Sequence, residues 1–395
     1  MSAGTVKTKS GWERFQNIDS PDETCNELGI SPFEFHRQYI QIRGIYVAGR
    51  VAAEAEDVFR SPREFHLRFA HSESNENQVI PAKLPIYPKA LTPYELKGNQ
   101  LFFQDRQVVN DWVLEEVPLP EHEPRYLKGF SFPHLGTSDP YYALRVNPRT
   151  SGYCPGMCTF CHRSYSHRLH ISDHPVTFPP EYIVENISAK YGADVFSKIR
   201  YITMVTELFG SEDKFINYLE KFVGLCRERG YSKNGEIDCC AQDVRSEAGL
   251  ARLLQIVNPK RYQYTLEFFS NRSKFMSRYK GIPFKQVMEL LKRARDIGYD
   301  ELQLNYIAGI DSFEEFENGL LELHKYNLID SIGFNVFTVF FEDQLDLRKS
   351  DAWHVDYYYR MCQLIKELGI NYYKPESFEM GSPFALSPTN FLKID

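Results

Sequence analysis

The sequence predicts an α/β fold whose centre is a partial (β/α)6 TIM-like barrel, with an α+β extension before it and a short tail after it. Three observations lead there. From Tyr141 to Phe340, short runs of β-branched and aromatic residues alternate with amphipathic helical patterns, as in a parallel sheet covered by helices. Six such β/α units follow one another, and right-handed crossovers curl six units into most of a barrel with functional loops at the carboxyl ends of its strands. The chain has 395 residues, more than one average domain, which leaves room for a barrel of roughly 200 to 250 residues with additions at both ends.

Taken in order, the first 130 residues carry little readable chemistry. SPFEFHRQYIQIRGIYVAGRV predicts a helix and then a strand, and Ile80–Pro93 reads as a proline-punctuated connection. Glu115–Pro133, with Pro118, Pro120, Pro124 and Pro133, reads as a linker. The expected division is therefore an accessory region over 1–130, the barrel over 131–345, and a C-terminal helix and tail closing the barrel over 346–395. Within the barrel the expected strands are Tyr141–Asn147, Ile199–Thr206, Glu236–Ala241, Tyr262–Phe268, Glu301–Ile307 and Ser331–Thr338. The expected helices are Pro180–Lys190, Glu212–Arg229, Ser246–Val257, Pro283–Ile297, Phe313–Tyr326 and Trp353–Leu368.

The loop after the first strand, NPRTSGYCPGMCTFCHRSYSHRLH, holds Cys154, Cys158 and Cys161 in a CxxxCxxC spacing. With eight cysteines in the chain, chance produces this triple in roughly 0.3% of such sequences, so the spacing is specific. Three thiolates within eight residues can close around one soft metal centre, but they cannot pair among themselves without leaving one over. Zinc is one reading, with His162, His167, His170 or His174 as a fourth ligand. The other is a [4Fe–4S] cluster on three cysteines, which leaves one iron open to an outside ligand. Zinc sites usually draw on two separated ligand pairs, and no second cysteine pair lies near, so the spacing favours the cluster.

CPGMCTFC, with Phe160 before the last cysteine, resembles the CxxxCxΦC signature of the radical S-adenosylmethionine (radical SAM) superfamily. The resemblance implies a [4Fe–4S] cluster on Cys154, Cys158 and Cys161, whose open iron chelates S-adenosylmethionine. It also implies reductive cleavage of that cofactor to a radical, fed by a flavodoxin- or ferredoxin-type electron donor. Glu207 in VTELFG matches the acidic end of the family's Gly-Gly-Glu, with Val205 and Thr206 in place of the glycines; a helix-capping Glu is the plainer account. Glu267, Ser270 and Arg278 in LEFFSNRSKFMSRYKG match segments that hold the cofactor's ribose and carboxylate. Gln242 and Asp243 come to the same rim, with Asp243 also suited to cap the next helix. The turn Ala308-Gly309-Ile310 resembles the small-residue turn beneath the adenine.

Candidates for the chemistry itself are fewer. Cys239 and Cys240 lie in the third strand, so at least one faces inward, where a thiol can give a hydrogen atom to a radical; small buried hydrophobes are the ordinary alternative. Asn335 and Thr338 are polar positions on an otherwise apolar sixth strand, and Tyr373 is placed to line a cavity. Arg145, Arg149, His162, Arg163, His167, Arg168, His170 and His174 surround the cysteine loop with positive charge, which eases reduction of an anionic cluster.

Composition narrows the classes. A net charge of −7 argues against general binding of nucleic acid or anionic membrane. No secretory signal and no apolar run of spanning length occur, which predicts cysteines kept as metal ligands in a reducing cytoplasm. Only Cys362 lies beyond residue 300, so a second cluster is not expected. The expected substrate is a small polar, amino-acid-like metabolite. Modification of a peptide, protein or nucleic acid is the alternative enzyme reading, and a non-enzymatic zinc- or cluster-bearing interaction protein is the alternative outside enzymes.

Overall fold

The computed structural model describes residues 17–47, 60–69, 78–108, 112–116, 129–132, 141–149, 158–161, 177–206, 208–339 and 342–372. Two helices open it. α1 (Pro21–Leu28) starts at Ser20, whose side chain accepts from the Glu23 amide, and α2 (Pro32–Arg43) repeats the device with Ser31 and Glu34. In both, proline stands in the first turn, where its missing N–H costs nothing.

The N-terminal sheet follows: β1 (Tyr46–Val47), β2 (Arg60–Phe69), β3 (Gln78–Ile86), β4 (Tyr94–Lys97), β5 (Gln100–Phe103), β6 (Arg106–Gln107) and β7 (Trp112–Glu116). Their order is β1-β4-β5-β7-β2-β3, with β6 paired to β5. This corrects the expected connection over Ile80–Pro93, whose first half, up to Ile86, is strand. β3 ends the strand order, paired along its length with β2 and bridged by Ile45 only at its end, where the Pro85 carbonyl accepts from the Ile45 amide (2.9 Å); away from a central position, prolines are tolerated. The expected linker Glu115–Pro133 starts inside β7 and reaches β8 (Phe130–Ser131), which pairs antiparallel with the first barrel strand.

The six expected strands are present within two or three residues of their expected ends: β9 (Ala143–Val146), β10 (Tyr201–Met204), β11 (Glu236–Cys239), β12 (Arg261–Glu267), β13 (Glu301–Ala308) and β14 (Ser331–Val336). All hydrogen-bonded neighbours among these six are parallel, β9-β10-β11 in one sheet and β12-β13-β14 in the other, with the bridge Cys240↔Gln263 joining the two. A short β15 (Asn371–Tyr372) adds to β14. The helices between are α3 (Pro180–Tyr191), α4 (Val195–Lys198), α5 (Glu212–Glu228), α6 (Glu247–Leu254), α7 (Arg272–Phe275), α8 (Phe284–Ile297), α9 (Phe313–Lys325) and α10 (Val355–Glu367). α9 begins with the capping box its sequence contains, Ser312 and Glu315 each bonding the other's backbone.

Strand alternation sorts the side chains cleanly. Leu144, Val146, Ile202, Met204, Ile237, Cys239, Tyr262, Tyr264, Leu302, Leu304, Tyr306, Ile332 and Phe334 are buried on the face toward the helices. The opposite, inner face is polar and falls into layers by register. Arg145, Thr203, Asp238, Arg261 and Glu301 form the lowest layer; Cys240, Gln263, Gln303 and Ser331 come next; Thr265, Asn305 and Gly333 lie above them. At the bottom Tyr201 donates to Asp238 (3.1 Å), Arg261 reaches Asp238 (3.8 Å) and Glu301 (2.7 Å), and Ser331 donates to Glu301 (2.6 Å). This chain of bonds ties the amino ends of the strands together, with Arg261 shared between the two carboxylates.

The N-terminal helices pack on α10 at the far side. Arg348 is the joint: it donates to the Ile42 carbonyl (2.9 Å), to the Ala352 carbonyl (2.8 Å) and to the Tyr358 hydroxyl (3.0 Å), over the Trp353 ring at 3.9 Å. Tyr87 adds a bond from the Val339 amide to its hydroxyl, 3.0 Å. Among the described residues no helix is long and apolar enough to cross a membrane.

Candidate functional site

The cysteine loop arrives at the carboxyl ends of the strands, where the α/β architecture puts its working loops. Cys158 is buried and Cys161 half-buried, and the Cys161 amide donates to the Cys158 carbonyl (3.1 Å) in a tight turn. Two other loops fix this turn. The Thr159 amide donates to the Phe275 carbonyl (2.9 Å), and Gln344 donates to the Thr159 carbonyl (2.9 Å). Phe160 is buried edge-on against Phe268, with ring centres 5.3 Å apart. Cys154 and the histidine- and arginine-rich segment from His162 to His174 lie outside the described residues.

Lys280 and Glu267 form an ion pair beside this turn. The Lys280 ammonium lies 5.8 Å from the centre of the Phe160 ring. Burial by itself lowers the Lys280 pKa, but the charges of Glu267, Cys158 and Cys161 outweigh it and raise the pKa, so the ammonium stays charged. Glu267 takes a positive φ of 68° where the β12–β13 register shifts between Thr265 and Glu267. A non-glycine residue in that region costs about 1–3 kcal/mol, and the surrounding contacts must hold it there. The two thiols thus lie beside a half-buried cation at the barrel mouth, a donor set and counter-charge suited to an anionic [4Fe–4S] cluster.

The neighbouring loops are built on buried carboxylates. Asp243 accepts from the amides of Phe209 (2.8 Å) and Gly210 (3.1 Å), so it shapes the loop after β10 that carries Glu207. The alternative that Asp243 caps a helix is corrected: Ser246 caps α6, accepting from the Gly249 amide. Gln242 is half-buried and its carbonyl accepts from Arg245 (3.1 Å). Glu207 itself lies outside the described residues. Asp311 accepts from the Phe269 amide (2.7 Å), the Ser270 amide (3.0 Å), the Ser270 hydroxyl (2.6 Å) and the Tyr306 hydroxyl (2.8 Å). Ser270 is therefore engaged with Asp311.

Arg278 requires correction as a group aimed into the site, because it is exposed and its guanidinium sits 4.9 Å over the Tyr279 ring, donating to the Tyr279 hydroxyl (3.0 Å). The inward cations of this segment are the buried Arg272 and the half-buried Lys280. Arg272 gathers the carbonyls of Leu266, Phe268 (2.6 Å) and Ile282 (2.8 Å) and so folds the whole loop. Sequence reading missed both, and the signal available was four positive charges between Arg272 and Lys280 with no way to tell which turn inward.

At Ala308-Gly309-Ile310, Gly309 has φ +115°, which only glycine adopts freely. The Ala308 carbonyl accepts from Phe337 (2.8 Å), the Gly309 carbonyl from Lys349 (2.9 Å), and the Gly309 amide donates to Tyr357 (3.2 Å). These groups hold the sixth unit in place. Cys239 and Cys240 separate: Cys239 is buried on the helix side, which corrects it as an inward thiol. Cys240 is on the inner face, accepting from Asn305 Nδ2 at 3.6 Å. Burial first, and then Asp238, push the Cys240 thiol up to about 12. Asn335 shares the inner face two residues above Gly333, and Thr338, just past the strand, is buried. Tyr373 lies outside the described residues.

The Radical SAM superfamily model matches residues 149–320, the span that carries the cysteine loop and the strands β10 to β13. No curated protein matches. Among solved structures, the chain is similar to the FeFe-hydrogenase maturase HydG from Carboxydothermus hydrogenoformans, at 14% identity and a TM-score of 0.44, covering 60% of this chain and 56% of that one. It is also similar to coproporphyrinogen III oxidase (HemN) from Escherichia coli, at 14% identity and a TM-score of 0.41, covering 57% and 52%. A third is SuiB from Streptococcus suis bound to S-adenosylmethionine, at 12% identity and a TM-score of 0.40, covering 63% and 54%. The chain spans little more than half the length of each. Residues 149–320 thus carry a radical SAM domain, of the superfamily whose cofactors are a [4Fe–4S] cluster and S-adenosylmethionine.

Proposed function

We propose that this chain is a radical SAM enzyme acting on a small polar metabolite held inside the barrel. The observation that carries this reading is the stacking of two features. A thiol turn with a half-buried counter-cation, Cys158, Cys161 and Lys280, sits at the strand ends above an inner face lined with Cys240, Gln263, Gln303 and Asn305. Cys154, Cys158 and Cys161 would hold the cluster. When bound, cluster and S-adenosylmethionine supply reductive carbon–sulfur cleavage and a radical that removes hydrogen from substrate.

The protein's own part is position, charge and dryness. Lys280 balances thiolate charge, Phe160 packs the turn against Phe268, and Asp243 shapes the loop bearing Glu207, a carboxylate suited to a cofactor ammonium group. Glu267, Gln242 and the Ser270–Asp311 pair line the same rim. A flavodoxin- or ferredoxin-type protein would deliver the electron.

The test uses anaerobically purified protein reconstituted with iron and sulfide, reduced with dithionite and given S-adenosylmethionine. Mass spectrometry should find 5′-deoxyadenosine and methionine, and neither in the Cys154→Ala, Cys158→Ala, Cys161→Ala variant. Protein that holds zinc without labile sulfide and leaves the cofactor intact would overturn the reading.

A further inference from the structure

Gln303 lies at 0% exposure with neither its Oε1 nor its Nε2 bonded to any protein group. A primary amide buried this way forfeits hydrogen bonds at both ends, and such a group calls for a partner. Its register places it on the inner face, opposite Gln263 on β12 and Ser331 on β14. Gln263 in turn is the bridge partner of Cys240 and donates to Asn305 (3.4 Å), which reaches the Cys240 sulfur. Gly333, in register with Asn305, contributes no side chain to the layer above.

Among the described residues, the charges around this layer cancel. Below it stand two cations, Arg145 and Arg261, and two anions, Asp238 and Glu301. Above it Lys280 and Glu267 neutralise one another. A carboxylate or phosphate brought to Gln303 would be desolvated with no net positive charge to receive it, whereas an uncharged group loses far less. An amide side chain offers one acceptor and one donor in a plane, and the group that satisfies both at once is another amide.

Resting on the enzyme reading above, we propose that the layer formed by Cys240, Gln263 and Gln303, roofed by Asn305, is a substrate subsite that recognises a carboxamide or lactam. The pairing is in-plane: the Gln303 carbonyl accepts from the ligand N–H and the Gln303 amino group donates to the ligand carbonyl. The substrate then carries an uncharged amide at the end that enters deepest, which sharpens the expectation of an amino-acid-like metabolite.

Acetamide and acetate test this as a matched pair, by saturation-transfer difference NMR on the full chain loaded with cluster and S-adenosylmethionine under anaerobic conditions. Acetamide should bind about tenfold more tightly than acetate, the factor that one extra well-made hydrogen bond supplies. Gln303→Leu should reduce acetamide to the level of acetate while melting no lower than the parent. Gln303→Glu should transfer the preference to acetamidinium. Equal responses to acetamide and acetate, or an acetamide response unchanged in Gln303→Leu, would overturn the subsite and leave Gln303 satisfied by an internal water. Binding is read here without turnover, so the two ideas fail separately. Protein that cleaves S-adenosylmethionine but ignores acetamide refutes the subsite, and protein that binds acetamide through Gln303 without cleaving the cofactor refutes the enzyme reading.

Discussion

Lys280 pairs with Glu267 across the loop that follows β12, and the pair stands beside the Cys158–Cys161 turn. Replacing Lys280 with Met leaves a buried carboxylate unpaired, which should cost about 3–5 kcal/mol in urea unfolding. Lys280→Met combined with Glu267→Gln should recover most of that loss. In reconstituted protein the single variant should also lower the cluster's midpoint potential by roughly several tens of millivolts, because a cation near an anionic cluster favours its reduction. A potential that does not move, followed by EPR-monitored titration, would place Lys280 in the packing alone.

Asp311 gives a pH signature. Burial raises its pKa above the ordinary aspartate value, and the bonds from Ser270, Phe269 and Tyr306 offset only part of the rise. The folded state therefore holds this proton more tightly than the unfolded state, so its contribution to stability falls as pH rises from the unfolded to the folded pKa. Asp311→Asn should flatten that limb of the stability curve. It should also cost about 1–3 kcal/mol near neutral pH, since one amide oxygen cannot serve the donors that two carboxylate oxygens serve. Denaturant midpoints of both proteins across the acid range provide the comparison.

Arg348→Lys should loosen the junction between α2 and the end of the barrel. A lysine ammonium cannot span the Ile42 and Ala352 carbonyls and lie flat over Trp353 at once. Unfolding free energy should fall by about 1.5–3 kcal/mol, the range for a lost hydrogen bond to a charged group. Limited proteolysis should release the N-terminal region sooner.

Cys240 should resist alkylation in the folded protein. With its thiol pushed up to about 12, almost no thiolate is present at neutral pH. Iodoacetamide at pH 8 should leave the Cys240 peptide unmodified in native protein and modify it fully in guanidinium, as read by peptide mass spectrometry. Rapid native labelling would mean that the inner face is wetter and less electronegative than its bonding implies.

Much of the barrel was legible in the sequence. Its parallel strands are apolar on the face toward the helices, and its helices announce themselves through amphipathic spacing and caps such as Ser312 with Glu315. What stayed hidden depends on context. Pro81 and Pro85 argue against a strand until β3 is known to be an edge. Arg272, Arg278 and Lys280 look alike in a row, and only tertiary packing sends two inward and one out to Tyr279. Cys239 and Cys240 differ by one residue, so the strand's alternation alone puts one against the helices and the other inside. Nothing in the local spacing of Asp311 announces that it ties down Ser270.

The junction at Arg348 also bears on how the chain is made. α2 ends at Arg43 and α10 begins at Val355, roughly 300 residues later. At ordinary ribosomal speeds of about 5–20 residues per second, α2 waits some tens of seconds for the surface it will rest on. During that interval its apolar side chains, among them Ile40 and Ile42, lack part of their cover. Nascent chains stalled before Val355 should therefore recruit chaperones through α2, although α2 emerges long before its covering surface exists.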